Sequence, residues 1–213
     1  ELYEDLYDRF KMDLQPVIRF AFSNFGLKQT QISKVEQFKK NVDRMSKVGT
    51  RQAEEIFQKS RIAMDLTIEL LKRGLGLNTT QLLPSQTSLI PIAKYFYVQE
   101  TKSLDDLEKD GIEKIITWFV LSSFNGYYSS QTDTKLDRDI EVIEGAKDSE
   151  SFPWDELLEN MKQKKAKTKI TKEDISSGQK LNVFRLQGRA HLFMLYILLV
   201  RSKADDWNGV LLS

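Results

Sequence analysis

The sequence predicts an all-α protein, an irregular bundle of roughly eight to ten helices rather than a coiled coil. Apolar residues recur at helical spacing through most of the 213 residues. Glycines, and Ser, Thr or Asp residues that favour helix N-caps, separate these stretches. No stretch shows a convincing strand alternation, although a short strand at residues 169–170 remains an alternative.

Helix starts and stops can be placed along the whole chain. The start signals are Asp13, Ser33 with Glu36, Thr50, Ser88, Ser103 with Asp106, and Asp133. The stop signals are Gly26, Gly49, Gly74, Gly76 and Gly145. With the apolar spacing, they predict helices over about residues 2–10, 14–25, 34–45, 51–73, 89–97, 107–123, 134–143, 154–158, 171–177 and 183–201.

Apolar residues also indicate which helices lie inside. The aromatic residues at 95–97 and 118–119 are expected in the core. The last helix is apolar on most of its circumference, which predicts a central position in the bundle. Residues 161–169, MKQKKAKTK, are expected to form a flexible basic segment.

Composition excludes several kinds of chemistry. The 32 basic and 31 acidic residues nearly balance, so the net charge indicates neither a nucleic-acid nor a membrane partner. Without cysteine and with one histidine, the chain has no disulfide, thiolate zinc site, cysteine nucleophile or multi-histidine metal centre. We predict no catalytic residues, no metal site and no cofactor.

Location and boundaries are less strongly indicated. No targeting segment is visible, and the longest apolar run, 192–200, is far shorter than the roughly 20 residues of a membrane span. We therefore expect a cytoplasmic protein without membrane contact. The chain begins without Met, and we interpret it as a piece of a longer protein, with a helical segment at 1–50 and a helical domain at 51–213.

The most unusual composition is that of the loop after residue 124. Its candidate contacts to a ligand or a neighbouring domain are Tyr127, Tyr128, Ser129, Ser130, Thr134, Lys135 and Asp139. Tyrosine rings stack on bases, and hydroxyl and ammonium groups reach phosphates. The alternative is structural: Tyr128 fills the bundle, and Lys135 pairs with Asp139 four residues on.

Other polar residues have weaker claims to a function. A local basic patch for DNA would consist of Lys162, Lys164, Lys165, Lys167 and Lys169, although such runs are more often only solvated. His191 lies on an apolar helix, where a hydrogen-bonded or half-exposed histidine is expected. Asp137, Asp139 and Glu141 form a carboxylate cluster, but basic neighbours offset its charge and we predict no metal there.

Several short segments resemble one known family. They are Leu82-Leu83-Pro84, Leu89 to Phe96, Trp118-Phe119, Ser122 to Phe124, Tyr128-Ser129-Ser130, and Asp133-Thr134-Lys135-Leu136 with Asp139. Over about residues 58–213 the chain resembles the helical region of GmrSD-type proteins, which are modification-dependent restriction factors of prokaryotes. Tyr127 stands where the family usually has Arg, and Asp133 where it has Glu.

The resemblance implies a role within a larger protein. Such proteins typically carry a ParB-like nucleotidase domain before the helical region and often an HNH nuclease domain after it. This chain has neither signature, although Asp205 to Gly209 resembles the lead-in to the nuclease. The resemblance therefore implies a non-catalytic regulatory linker in an anti-phage, DNA-targeting protein, with the flanking domains, DNA or a second copy as partners. The alternative is a stand-alone helical DNA-binding or dimerisation module.

Overall fold

The computed structural model describes residues 2–32, 36, 39–40, 43, 46–149, 151–176 and 186–203. Within these residues the chain is all-α, with ten α-helices and four short 3-10 helices and no strand. The α-helices are α1 Leu2–Phe10, α2 Leu14–Asn24, α3 Gln29–Ile32, α4 Thr50–Leu75, α5 Leu89–Val98, α6 Lys109–Phe124, α7 Thr132–Gly145, α8 Trp154–Gln163, α9 Lys172–Ser176 and α10 Leu186–Arg201. The 3-10 helices are Thr80–Leu82, Gln86–Ser88, Leu104–Asp106 and Tyr127–Ser129.

Helix α5 lies at the centre of the bundle. It packs against α4, α7 and α2, and every residue from 89 to 96 is buried. Tyr95 meets the Phe152 ring edge-on with centroids 5.2 Å apart, and Trp118 of α6 also packs against Phe152, with centroids 6.1 Å apart. The predicted burial of residues 95, 96, 118 and 119 is confirmed, whereas Tyr97 is only partly buried against the core.

A charged group lies inside this apolar centre. The side chain of Lys94 is 3% exposed, and its Nζ donates to the carbonyl of Ser23 and to Oδ1 of Asn24, both at 3.1 Å. It also lies 2.8 Å from a carboxylate oxygen of Glu144 on α7. Burial lowers the pKa of Lys94 despite the opposing effect of Glu144. A cation at the last residues of α2 is favourable, because unpaired carbonyls and the helix dipole concentrate negative potential there.

Two glycines fix how α4 meets its neighbours. A Cβ atom on Gly74 would lie 2.4 Å from Cδ1 of Ile116, so glycine allows α6 to cross α4 closely. Gly76 ends α4 in the left-handed conformation with φ of 64°, and its carbonyl accepts a hydrogen bond of 2.5 Å from the Tyr196 hydroxyl. The long helix thus ends at Leu75, two residues later than predicted.

The expected central position of the last helix is wrong. Helix α10 buries Phe193, Met194 and Ile197, but it lies at the edge of the bundle. Its other face leaves a row of leucines 41–47% exposed, namely Leu192, Leu195, Leu198 and Leu199. An apolar circumference does not by itself show that a helix lies at the centre of a bundle. The central position is occupied by the shorter helix α5.

Some start signals act differently from the prediction. Ser103 and Asp106 form the predicted capping box, but around a 3-10 helix, and α6 begins only at Lys109. Ser88 precedes α5 without capping it, since its hydroxyl donates to the Ser85 carbonyl. Thr50 and Asp133 lie inside their helices, because the N-cap positions are occupied by Gly49 and Gln131.

Other predictions have simpler outcomes. The helices at 2–10, 14–24 and 172–176 are found close to their predicted bounds, whereas the helix predicted at 154–158 continues to Gln163. The predicted helix at 34–45 lies mostly outside the described residues, as does the segment Asp205 to Gly209. No helix in the described part of the chain combines the length and apolar character that crossing a membrane requires. Residues 169–170 form no strand.

We expect Lys94→Ala to lower the free energy of unfolding by about 2–4 kcal/mol, because it empties a buried site and removes the ammonium group that Ser23, Asn24 and Glu144 share. Lys59→Ala is the matched control, since Lys59 forms an ion pair with Glu100 at 2.5 Å on the surface. Its loss should cost less than about 1 kcal/mol. Urea unfolding measures both, and equal losses would contradict a special role for Lys94.

Candidate functional site

The loop between α6 and α7 is a tight and largely internal turn. Gly126 adopts a φ of 56°, and its carbonyl accepts from the Ser129 amide at 2.8 Å. The Thr132 hydroxyl donates to the Tyr128 carbonyl at 2.6 Å, which fixes the turn to the start of α7. Tyr127 and Tyr128 are both buried, and their rings meet edge-on with centroids 4.8 Å apart.

A buried polar network holds the turn to two helices. The Tyr128 hydroxyl donates to Oδ2 of Asp139 on α7 at 2.5 Å, and the side-chain amide of Asn160 on α8 donates to Oδ1 at 2.9 Å. Asp139 is 0% exposed. Both carboxylate oxygens therefore have donors, as a buried carboxylate requires. The network joins three elements that the sequence separates by up to 32 residues.

Burial dominates the electrostatics of this network. It raises the pKa of Asp139 to about 6, although the hydrogen bonds from Tyr128 and Asn160 oppose the shift. Burial and the neighbouring Asp139 raise the pKa of Tyr128 well above its usual value. Both groups are buried and bonded to each other, so neither can reach a ligand without opening the turn. The network is placed to hold the loop in one conformation.

Lys135 supports the other tyrosine. Its Nζ donates to the Tyr127 carbonyl at 2.5 Å and to the Ser130 hydroxyl at 3.4 Å, and lies 5.0 Å from the centre of the Tyr127 ring. Burial lowers the pKa of Lys135, and nearby Lys164 lowers it further. Of the structural alternative, the burial of Tyr128 is thus confirmed, whereas the ion pair between Lys135 and Asp139 is not formed, because Lys135 bonds to Tyr127 and Asp139 to Tyr128. The Tyr127 hydroxyl is buried and has no hydrogen-bond partner within the described residues.

Only part of the predicted contact set faces solvent. Ser129, Ser130 and Thr134 are exposed, as are Gln131 and Arg138 beside them. Tyr127, Tyr128, Lys135 and Asp139 are buried. The predicted residues thus divide into an inner set that holds the turn and an outer set of hydroxyl groups, which we call the outer face.

The predicted carboxylate cluster does not converge. Asp137 accepts from the amides of Gln29 and Thr30 and from the Thr30 hydroxyl, so it caps the short helix α3. Asp139 points to Tyr128, and Glu141 pairs with Lys28 at the surface. In the part of the chain that is described, no group of three or more His, Cys, Asp and Glu residues is placed to hold a metal ion.

The lysine run lies beside the turn. The side chain of Asn125 makes two hydrogen bonds to the backbone of Lys167. It donates to the carbonyl at 2.8 Å and accepts from the amide at 2.7 Å. Lys164 Nζ donates to the side chain of Gln131 at 3.1 Å. The segment at 161–169, expected to be flexible, thus begins inside α8 and is anchored to the neighbouring loop through Lys164 and Lys167.

The individual lysines differ in their partners. Lys162 lies 3.7 Å from Glu159, and Lys167 pairs with Asp174. Lys165 and Lys169 are exposed and form no ion pair with a described residue. The structure therefore brings two of the predicted DNA-contact lysines, Lys164 and Lys167, against Gln131 and Asn125 of the loop, which lie at least 33 residues earlier in the sequence.

His191 is placed as expected. It is half-buried, its Nε2 lies 2.8 Å from the Asp174 carbonyl, and its ring meets Phe124 edge-on. Residues that sequence reasoning missed are Asn160, Asn125 and Lys94. Each acts on a partner at least 21 residues away, and a single polar residue on a helix gives no signal of such a partner.

Comparison with known proteins adds no assignment: no protein-family model matches the chain, and no curated protein matches it significantly.

We expect the stability of the protein to depend on pH through Asp139. Its folded pKa of about 6 exceeds the ordinary value of 3.8, so the folded state binds the proton more tightly. The free energy of unfolding should therefore fall as pH rises from about 4 to about 6, by roughly 3 kcal/mol from this group. Asp139→Asn should lose this slope, while keeping both hydrogen bonds because the Tyr128 hydroxyl also accepts.

Urea unfolding of both proteins at several pH values between 4 and 7 measures the effect. Other carboxyl groups are common to the two proteins and cancel in the difference. The wild type should become steadily less stable relative to Asp139→Asn across this range. Parallel pH profiles would contradict the assignment.

Proposed function

We propose that this chain is a non-catalytic helical domain that couples a nucleotide-sensing domain to a nuclease domain in a DNA-targeting restriction protein of the GmrSD type. The proposal places the protein in the prokaryotic cytoplasm and in defence against phage. It rests on the resemblance of the turn at 127–139 to that family. The observation that carries it is the buried Tyr128–Asp139–Asn160 network beneath the exposed outer face.

The inner network favours a coupling role over catalysis. A catalytic tyrosine or carboxylate must reach its substrate, whereas Tyr128 and Asp139 are enclosed and bonded to each other. A turn fixed to both α7 and α8 passes a displacement at its surface to two helices at once. This is the property that a contact between domains requires.

The outer face supplies the docking chemistry. Ser129, Ser130 and Thr134 present small, exposed hydroxyl groups around the start of α7, and the large side chains next to them in the sequence, Tyr128 and Lys135, are buried. Hydroxyls of this kind form hydrogen bonds across interfaces without the entropic cost of long side chains. We propose that a flanking domain docks here.

Long side chains on the outer face should block that docking. We expect Ser129→Arg with Thr134→Arg to abolish nucleotide-dependent DNA cleavage by the parent protein, while the separate activities of its end domains persist. Both positions are exposed, so the melting temperature of the isolated chain should change little.

Gln52→Arg, at an exposed position on α4, is the matched control and should leave cleavage unchanged. Undiminished coupling in the double variant would contradict the proposed contact. Nuclease activity of the isolated chain that responds to mutation of its own residues would contradict the non-catalytic role.

A second candidate function is DNA binding, favoured by the position of the lysine run. Lys164 donates to Gln131, which lies beside the outer face, and hydroxyls and amides there could also contact phosphates. Lys165 follows it in the sequence and is exposed. A duplex backbone crossing this surface would meet both sets. This alternative needs no flanking domain.

We expect Lys165→Gln with Lys169→Gln to weaken duplex binding several-fold and to lower the slope of log K against log salt by about two, since each lysine releases a counterion. Fluorescence anisotropy at several salt concentrations measures this. Lys102→Gln with Lys109→Gln, both exposed elsewhere, should have no such effect. An equal decrease in both variants, or no duplex binding at low salt, would remove this candidate.

A further inference from the structure

A second region of the molecule has the form of a small-molecule site. A cavity of about 680 Å³ lies where the start of α2 meets the two 3-10 helices before α5 and the first turns of α10. This volume is within the range of about 300–1,000 Å³ that is typical of ligand pockets. None of the residues of the turn at 127–139 lines it.

The charge of this cavity favours an anion. Lys11 and Arg189 both line it, and neither forms an ion pair with a described residue. Asp13 is its one carboxylate, and Oδ2 of Asp13 already accepts a hydrogen bond of 3.0 Å from Gln86. Two cations therefore face a space with a single, already bonded carboxylate.

Two other cavities show that this balance is not general. One has a volume of about 710 Å³ and is lined by Lys102 and three carboxylates. The other has a volume of about 540 Å³ and is lined by Lys114 and three carboxylates. Lys114 is moreover paired with Asp110 at 2.7 Å. An anion would thus bind in the first cavity rather than in these two, because two cations attract it in the first and three carboxylates repel it in each of the others.

The walls of the basic cavity are held in place before any ligand arrives. The Asp13 amide donates to Oε1 of Gln86 at 2.7 Å, and the Gln86 amide group returns a bond to the Asp13 carboxylate. The Thr80 hydroxyl donates to the Lys11 carbonyl at 2.5 Å. These bonds join residues about 70 positions apart, so the backbone that carries Lys11 is fixed against the segment 80–87. A prepared site loses less entropy on binding.

Neutral donors complete the site. The hydroxyl of Thr87 and the side-chain amide of Gln81 line the cavity and bond to no described residue. The Tyr7 ring forms another part of the wall, with Lys11 Nζ 4.7 Å from its centre. Two cations with several neutral donors suit an oxyanion with many acceptor oxygens better than a single carboxylate.

We propose that this cavity binds a small phosphate-bearing molecule of the size of a nucleoside diphosphate, with Lys11 and Arg189 contacting its phosphate oxygens. This role is separate from the coupling function and does not depend on it. Ligand binding would also stabilise the junction of α2, the segment at 80–87 and α10, since residues from each of them line the cavity.

Calorimetric titration of the chain with inorganic pyrophosphate and with adenosine diphosphate tests the proposal. Both should bind, adenosine should not, and affinity should fall as salt is added. Lys11→Gln and Arg189→Gln should each weaken pyrophosphate binding about tenfold, the usual effect of losing one bond to a charged group. Asp13→Asn should strengthen it, because a repelling charge is removed.

Lys102→Gln is the matched control, since Lys102 lines a cavity of the opposite charge, and it should leave pyrophosphate affinity unchanged. The melting temperature of each unliganded variant establishes that it remains folded. The proposal is wrong if millimolar pyrophosphate does not bind, if adenosine binds as well as the diphosphate, or if Lys11→Gln and Lys102→Gln have equal effects.

Discussion

The ammonium group of Lys94 imposes the main constraint on this bundle. It lies on the most enclosed helix, where a cation is costly unless hydrogen-bond acceptors surround it. The acceptors come from the last residues of α2 and from Glu144 at the end of α7. Because only one arrangement of α2, α5 and α7 supplies all of them, a charge that opposes folding by its burial also specifies how three helices meet.

The same logic recurs at Asp139. Its carboxylate loses water on folding and in return accepts hydrogen bonds from Tyr128 and Asn160, which lie on different elements. An apolar side chain in this place would pack without requiring a particular orientation of the turn. The polar network thus gives the loop a defined conformation and leaves hydroxyl groups displayed above it.

Local sequence signals predicted the helices well because their causes are local. Spacing of apolar residues and glycines such as Gly26 and Gly76 act within a few residues, so the class of fold and most helix bounds followed from them. The place of each helix in the bundle did not. Helix α10 is apolar almost all round yet lies at the edge, because its position depends on what α4 and α6 offer to pack against.

The site divided in the same way. The importance of the turn was visible in its composition, but the separation of an inner and an outer set was not. Lys135 and Asp139 have the spacing of an ion pair, yet each bonds to a tyrosine instead, since buried donors and acceptors outweigh a solvated pair. Asn160 and the cavity beside Lys11 depend on contacts between distant segments, for which a single sequence carries no signal.

The absence of a side chain at Gly74 leaves space on α4 that a side chain of α6 fills. Ile116 sits where a methyl group would otherwise be, so α6 cannot slide along α4 past this point without unpacking. Helix α6 leads directly into the turn at 127–130, whereas α4 runs for 26 residues along the bundle. The close crossing at Gly74 therefore also sets where the turn begins relative to α4, and one hydrogen atom in place of a methyl group is what permits that position.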